Sequence, residues 1–389
     1  MKSILSKQSP PESVQTLALL TAMVLLAVCG AWSQGEKPED AKAQSGWLYV
    51  LDTQKLGTAS RVLLVDPVRG KVVRSIRVGA SPDMVLAPDG RFLYVTSQIF
   101  DVENHTMEPR LQVFDNTGSL VASVANPDAV GSTGAEYPPR MAISPSGNWL
   151  YVCKMHVAGV IDVYLTAFNT VTRQFIPSRV TLPGCGGTVL LPSHEDLKLS
   201  AICAGSSLVR DITLGDSEES SKTNAIPVIP GQETRRTEWD LVFSHQGDDE
   251  LGLMTANGAG YTVHRQTSKS ESVAPAPAPG PRMPAKVNAG LQKGEVSQDG
   301  TSVFFGDEGT PHSYSSRFDQ IVSADVETMA QQKVISTTPF FHFALSRDNK
   351  TAFTASPDKS TVTVIDVASG KTVRQFKAGL TPMRIIPVP

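Results

Sequence analysis

A chain of 389 residues with 40% hydrophobic and 19% charged side chains has enough apolar residues for a packed core and too few charges for a disordered chain. Its formal net charge of −3, without any basic run, excludes a nucleic-acid groove. Thirty glycines and 27 prolines call for a fold with frequent tight turns.

Lys2 and Lys7 precede an apolar run from Leu17 to Val28, too short to span a bilayer, which takes about 20 residues. Ala31 and Ser33 are small residues at −3 and −1 of a cleavage point before Gln34, so residues 1–33 read as a secretory signal peptide. Leu26-Ala27-Val28-Cys29 leaves a lipoprotein reading open. Both readings imply export, to a periplasm or beyond the cell. Residues 34–45 form a flexible segment, and residues 46–389 the folded domain.

That domain repeats. Polar turns start at Ala87 (APDG), Ser144 (SPSG), Ser193 (SHED), Ser244 (SHQG), Ser297 (SQDG) and Ser346 (SRDN), at intervals of 57, 49, 51, 53 and 49 residues. Each sits between two short apolar runs, as in DMVLA and RFLYVTS. A third run ends in Asp (RVLLVD, RLQVFD, QIVSAD, TVTVID), and a polar turn leads to a fourth. Such runs read as strands, and a period near 50 as stacked four-stranded units. The C-terminal TPMRIIPVP has a first strand with no sequel, while GWLYVLD from Gly46 has a second strand with no predecessor. Joined, they complete a seventh unit. The expected fold is therefore all-β: a seven-bladed β-propeller of four-stranded antiparallel blades, its ring closed by N- and C-terminal strands.

Beyond Cys29, three cysteines remain: Cys153, Cys185 and Cys203. Cys185 and Cys203 are equidistant from position 194, the centre of the SHED turn, which places them opposite each other in a hairpin and predicts a disulfide. Cys153 is expected to keep a buried thiol.

First-to-second and third-to-fourth turns share one face. The long connections Gln98–Pro109, Asn126–Pro138, Gly231–Glu238, Ala274–Ala289 and Gly306–Asp319 share the other, where binding is expected. None of the seven histidines has a metal-ligand spacing, so no metal site is expected. His194 and His245 fall in tight turns on the opposite face, as solvated turn residues. The Pro-rich run Ala274–Pro284 is a stiff surface loop. There is no G-x-S-x-G and no phosphate-cradling glycine loop, so no catalytic residues are assigned to this chain.

The stretches VTVIDVASGKTVRQFKAGLTP and VGASPDMVLAPDGRFLYVTS resemble the YVTN class of propeller repeats. Along nearly the whole domain, LYVLD…RVLLVD, TSQIFDVENHTMEPRLQVFD, LPGCGG…SAIC and GTPHSYSSRFDQIVSAD resemble the heavy chain of methylamine and aromatic amine dehydrogenases. That resemblance implies an exported propeller, non-catalytic alone, docking a small light chain that bears a tryptophan-derived quinone. Electrons from primary amines would pass to a copper protein or cytochrome. Leu56, Phe100, His105, Arg110, His312 and Tyr314 are the residues it points to on the partner and substrate-channel face. Leu56 stands where the family carries an aromatic, and Arg110 is what remains of its Arg-rich pattern. No cofactor is expected in this chain, nor any nucleic-acid partner, nor a membrane span. The alternative is a periplasmic YVTN-type binding or interaction propeller with no enzymatic role. A sugar-lactone hydrolase on the same fold is disfavoured by the export signal and by the want of a paired acid and base.

Overall fold

The computed structural model describes residues 43–53, 60–101, 103, 105–125, 141–157, 161–183, 185, 188–203, 208–217, 219–227, 241–245, 250–256, 261–267, 292–307, 318–326 and 330–389. Lys42–Pro389 forms one compact unit. Its described residues are strands and turns, with one short 3-10 turn at Pro357–Lys359. No helix among them is long and apolar enough to cross a membrane.

From innermost strand outward, the first sheet is Pro382–Pro387, Leu48–Asp52, Arg61–Asp66 and Lys71–Arg77. The second is Ala80–Leu86, Phe92–Asp101, Thr106–Asp115 and Leu120–Ala125. The third has Met141–Ile143, Trp149–Val157 and Ile161–Asn169, with both Gln174–Phe175 and Val180–Pro183 on the outer side. The fourth is Thr188–Pro192, Lys198–Cys203, Leu208–Thr213 and Lys222–Pro227. The fifth holds Leu241–His245, Glu250–Ala256 and Tyr261–Thr267. The sixth is Glu295–Val296, Ser302–Asp307, Phe318–Asp325 and Gln331–Phe340. The seventh is His342–Leu345, Thr351–Ser356, Thr361–Asp366 and Lys371–Lys377. The two ends of the domain meet as the sequence requires: Leu48 pairs with Pro387 and Val50 with Ile385.

Local chemistry sets the turns. In APDG, the Gly90 N–H donates to the Ala87 carbonyl at 2.9 Å with Gly90 at φ +72°, a conformation that costs glycine little. Ser297–Gly300 and Ser346–Asn349 repeat the bond. Where a third strand ends in Asp, as at Asp66 and Asp366, its carboxylate ties down the next turn. Asp66 Oδ1 accepts the N–H groups of Val68 and Arg69, and Asp366 Oδ1 accepts that of Ser369.

The core lies between neighbouring sheets. Leu64 and Tyr49 of the first pack with Met84 and Leu93 of the second, and Phe168 of the third with Leu111 of the second. Leu165 of the third meets Leu190 of the fourth, Phe340 of the sixth meets Phe343 of the seventh, and Val362 of the seventh meets Leu63 of the first. Side chains of outer strands stitch the same seams. Lys333 Nζ donates to the carbonyls of Val367 and Ala368, Arg374 Nη1 to Arg69 O at 3.2 Å, and Arg173 Nη1 to Val121 O at 3.1 Å.

Three expectations are corrected. Gln98–Pro109 is not an open loop: the second and third strands of the second sheet run on through it, pairing Gln98 with Pro109 and Asp101 with Thr106. The pairing satisfies backbone groups that an exposed loop would leave to water. Not every pairing is antiparallel, since Gln292–Lys293 runs parallel to Leu241–His245 on its way into the sixth sheet.

The third correction concerns the disulfide. Cys185 and Cys203 are bonded as expected, 18 residues apart, but they are not opposite each other. Cys203 pairs across the ladder with Thr188, so the hairpin centre lies further along the chain than position 194. Cys185 precedes the strand, in the segment that leads into it. Cys153 is buried and outside any disulfide, as expected. The segments Asn126–Pro138, Gly231–Glu238 and Ala274–Ala289 lie outside the described residues.

Candidate functional site

The two ten-residue strands Phe92–Asp101 and Thr106–Asp115 extend the second sheet's pairing through what the sequence suggests is a connection. The turn closing them holds His105 at φ +52°, which sets its ring edge-on to Phe100, with centroids 6.4 Å apart and planes at 85°. Phe100 is 54% exposed, the one aromatic among the strongly exposed large apolar side chains described. Arg110 lies three rungs back, opposite Ser97, about 10 Å along the strand. Its guanidinium donates twice to Glu108 Oε2, at 3.1 and 2.7 Å, so its charge is engaged within the hairpin. Three of the six candidates thus share one rigid hairpin, with Phe100 and His105 in contact. Leu56, His312 and Tyr314 lie outside the described residues.

A second group, not singled out from the sequence, gathers where inner strands of three successive sheets converge. Arg384 of the first sheet donates to Asp83 Oδ1 of the second. Asp83 also accepts the Met84 N–H at 2.8 Å. His342 of the seventh receives the Ile385 N–H at Nδ1, 3.5 Å away, which leaves the proton on Nε2. Burial, and then the positive charge of Arg384, lowers the His342 pKa to about 3, so its ring is neutral at physiological pH. Nearby, the fully buried Asp52 pairs with Arg61 at 2.6 Å and accepts the N–H groups of Leu380 and Thr381. The signal that could have found the group is a charged or imidazole side chain inside an otherwise apolar first strand: SPDMV, TPMRI, FHFAL.

Chemically, the hairpin offers an aromatic platform for a partner. The inner group joins sheets, and its charges are spent on one another. Among the described residues, no three His, Cys, Asp or Glu side chains are placed to hold a metal ion.

No family model and no curated protein matches the sequence. Solved structures do resemble it in fold. A putative 6-phosphogluconolactonase from Bacteroides fragilis superposes with a TM-score of 0.58 at 13% identity, over 90% of this chain and 99% of that one. The periplasmic gluconolactonase PpgL of Pseudomonas aeruginosa gives 0.54 at 17% identity, over 88% and 99%. The β-propeller domain of Cps50 (Swd1) from Myceliophteria thermophila gives 0.55 at 12%, over 78% and 88%. Together with the four-stranded antiparallel sheets packed face to face, these place the fold in the β-propeller class. At such identities the likeness extends to fold and no further.

Proposed function

We propose that this chain is an exported, seven-bladed propeller working as a docking scaffold, of the kind formed by the heavy chain of quinone-dependent amine dehydrogenases. In this reading it has no catalytic set of its own. A small quinone-bearing light chain seats on the long-connection face, and the pair oxidises primary amines. The observation that carries the reading is the Phe100–His105 hairpin, an exposed aromatic held on paired strands where a partner would meet it. Support comes from the sequence resemblance along the domain and from the Cys185–Cys203 disulfide, a bond that persists in oxidising compartments. Residues 1–33 act as the signal peptide in this reading, with cleavage before Gln34.

The test is isolation of the native protein from the exported fraction, followed by subunit analysis, quinone staining and dye reduction with primary amines. A small quinone-staining subunit lost on Phe100→Ala, with amine-dependent dye reduction, is the expected result. A stable partner without amine oxidation would favour the interaction-propeller alternative. Hydrolysis of a sugar lactone by the chain alone would overturn the scaffold reading.

A further inference from the structure

The sequence has no basic run, yet the fold assembles a basic wall. The outermost strands of the seventh and first sheets read KTVRQFK and KVVRSIR, with no acidic residue in either. The two sheets are neighbours: Leu48 and Val65 share a core with Val362 and Phe353, and Arg374 reaches the Arg69 carbonyl. Residues some 300 positions apart in sequence thereby place Lys71, Arg77, Lys371 and Lys377, all exposed, on the outermost strands of two neighbouring sheets, with Lys377 Nζ donating to the Lys359 carbonyl at 2.7 Å. The nearest acids in the preceding turns, Asp66 and Asp366, are held by turn amides.

Guarding an open sheet edge with cations is a common device against edge-to-edge pairing. Here it does not account for the distribution. The outer strands of the second and third sheets, LVASVA, QF and VTLP, are just as much edges and carry no charge. The wall is also apolar. Val72 (42% exposed) and Val373 (67%) lie in the two outer strands themselves, among the cations.

We propose that this wall docks on the surface of an anionic lipid bilayer. Cations interleaved with exposed aliphatic side chains match the headgroup boundary, where phosphates meet the ends of acyl chains. The two strands are each about 20 Å long, enough to lay several cations on the headgroups together. Docking by the ring's side leaves the long-connection face clear, so the wall and the Phe100 hairpin serve separate encounters.

Sedimentation of the full chain with vesicles of phosphatidylglycerol and phosphatidylcholine, at low and high salt, tests this. Phosphatidylcholine vesicles alone measure whatever the apolar segment Leu17–Val28 contributes. Each cation near an anionic surface is worth about fivefold in binding. The combined variant Lys71→Gln, Arg77→Gln, Lys371→Gln, Lys377→Gln should therefore lose the salt-sensitive binding by about a hundredfold or more. Replacing the same lysines by arginine should retain it, and the melting temperature of every variant should match the parent. Equal binding by the glutamine variant, or equal binding to neutral and anionic vesicles, would overturn the proposal. So would wall-dependent binding to soluble polyglutamate as tight as to vesicles, which would assign the surface to an acidic protein.

Discussion

In the first sheet the second strand ends on Asp52, whose carboxylate takes the N–H groups of Leu380 and Thr381 at 2.8 and 2.7 Å and the Arg61 guanidinium at 2.6 Å. In the fourth sheet the second strand ends on Cys203, joined covalently to Cys185. In both, the end of the second strand seizes the segment that leads into the innermost strand. Elsewhere the grip is lighter. Ser356 of the seventh sheet donates to the Pro339 carbonyl at 2.6 Å. In the second, Gly79 lies so close that an added Cβ would sit 2.1 Å from Gln98 O. One position in the repeat therefore needs a latch, and the latch chemistry differs from sheet to sheet. This also explains the glycine that opens both GASP (Gly79–Pro82) and GLTP (Gly379–Pro382). Gly379 is at φ +83°, and a Cβ there would fall 2.4 Å from Asp52 Cγ.

If the latches are equivalent, their removal should scale with what each leaves unpaired. Asp52→Ala should be the most damaging, costing about 3–5 kcal/mol, because it removes a fully buried carboxylate and leaves the half-buried Arg61 and two backbone N–H groups without their acceptor. Denaturant melts of the parent, Asp52→Ala and Asp52→Asn would measure this, with the Asn variant intermediate since its carbonyl can still accept the amides. A loss below about 1 kcal/mol for Asp52→Ala would mean that the carboxylate is not the latch.

Opening the disulfide comes next. Cys185→Ser with Cys203→Ser should cost about 3 kcal/mol, as expected for a loop of this length. Non-reducing peptide mapping should find Cys185 linked to Cys203 in the parent, and Cys153 unlinked. The same loss on adding a reductant to the parent, and none in the double variant, would assign the effect to the bond.

The repeat was legible because it is written locally. A turn of four residues, a strand ending in Asp and an alternating apolar run each act within a few positions, and the complementary ends of the domain follow from counting them. What failed was whatever depends on how a segment leaves its strand. Sequence symmetry pairs Cys185 with Cys203 but not in the register the strands adopt. A symmetric turn would set the two cysteines opposite each other, whereas Thr188 faces Cys203 and Cys185 belongs to the lead-in. The Phe100–His105 hairpin looks like a loop in sequence for a similar reason, since length between apolar runs does not say whether the chain pairs with itself. Arg384, Asp83 and His342 are not legible as a group in sequence, because their meeting depends on three strands from opposite ends of the chain. The basic wall is likewise invisible in one dimension.

The mildest latch gives the sharpest comparison. Ser356→Ala removes one neutral hydrogen bond, to Pro339, from a site with no solvent exposure. The Phe341 N–H still bonds the Ala355 carbonyl at 2.8 Å, so the lead-in keeps a backbone tie that does not depend on the serine. The expected loss is about 1 kcal/mol, a shift a thermal melt resolves. Ser356→Asp sharpens the question, because it places the first sheet's carboxylate in the seventh sheet. There it meets a carbonyl acceptor instead of two N–H donors, and it should destabilise more than alanine does. If it stabilised instead, the latch would be set by charge alone. If it destabilises, each latch is matched to the polarity its lead-in presents: an acceptor where the segment offers amides, a donor where it offers a carbonyl, and a covalent bond where it offers a second cysteine.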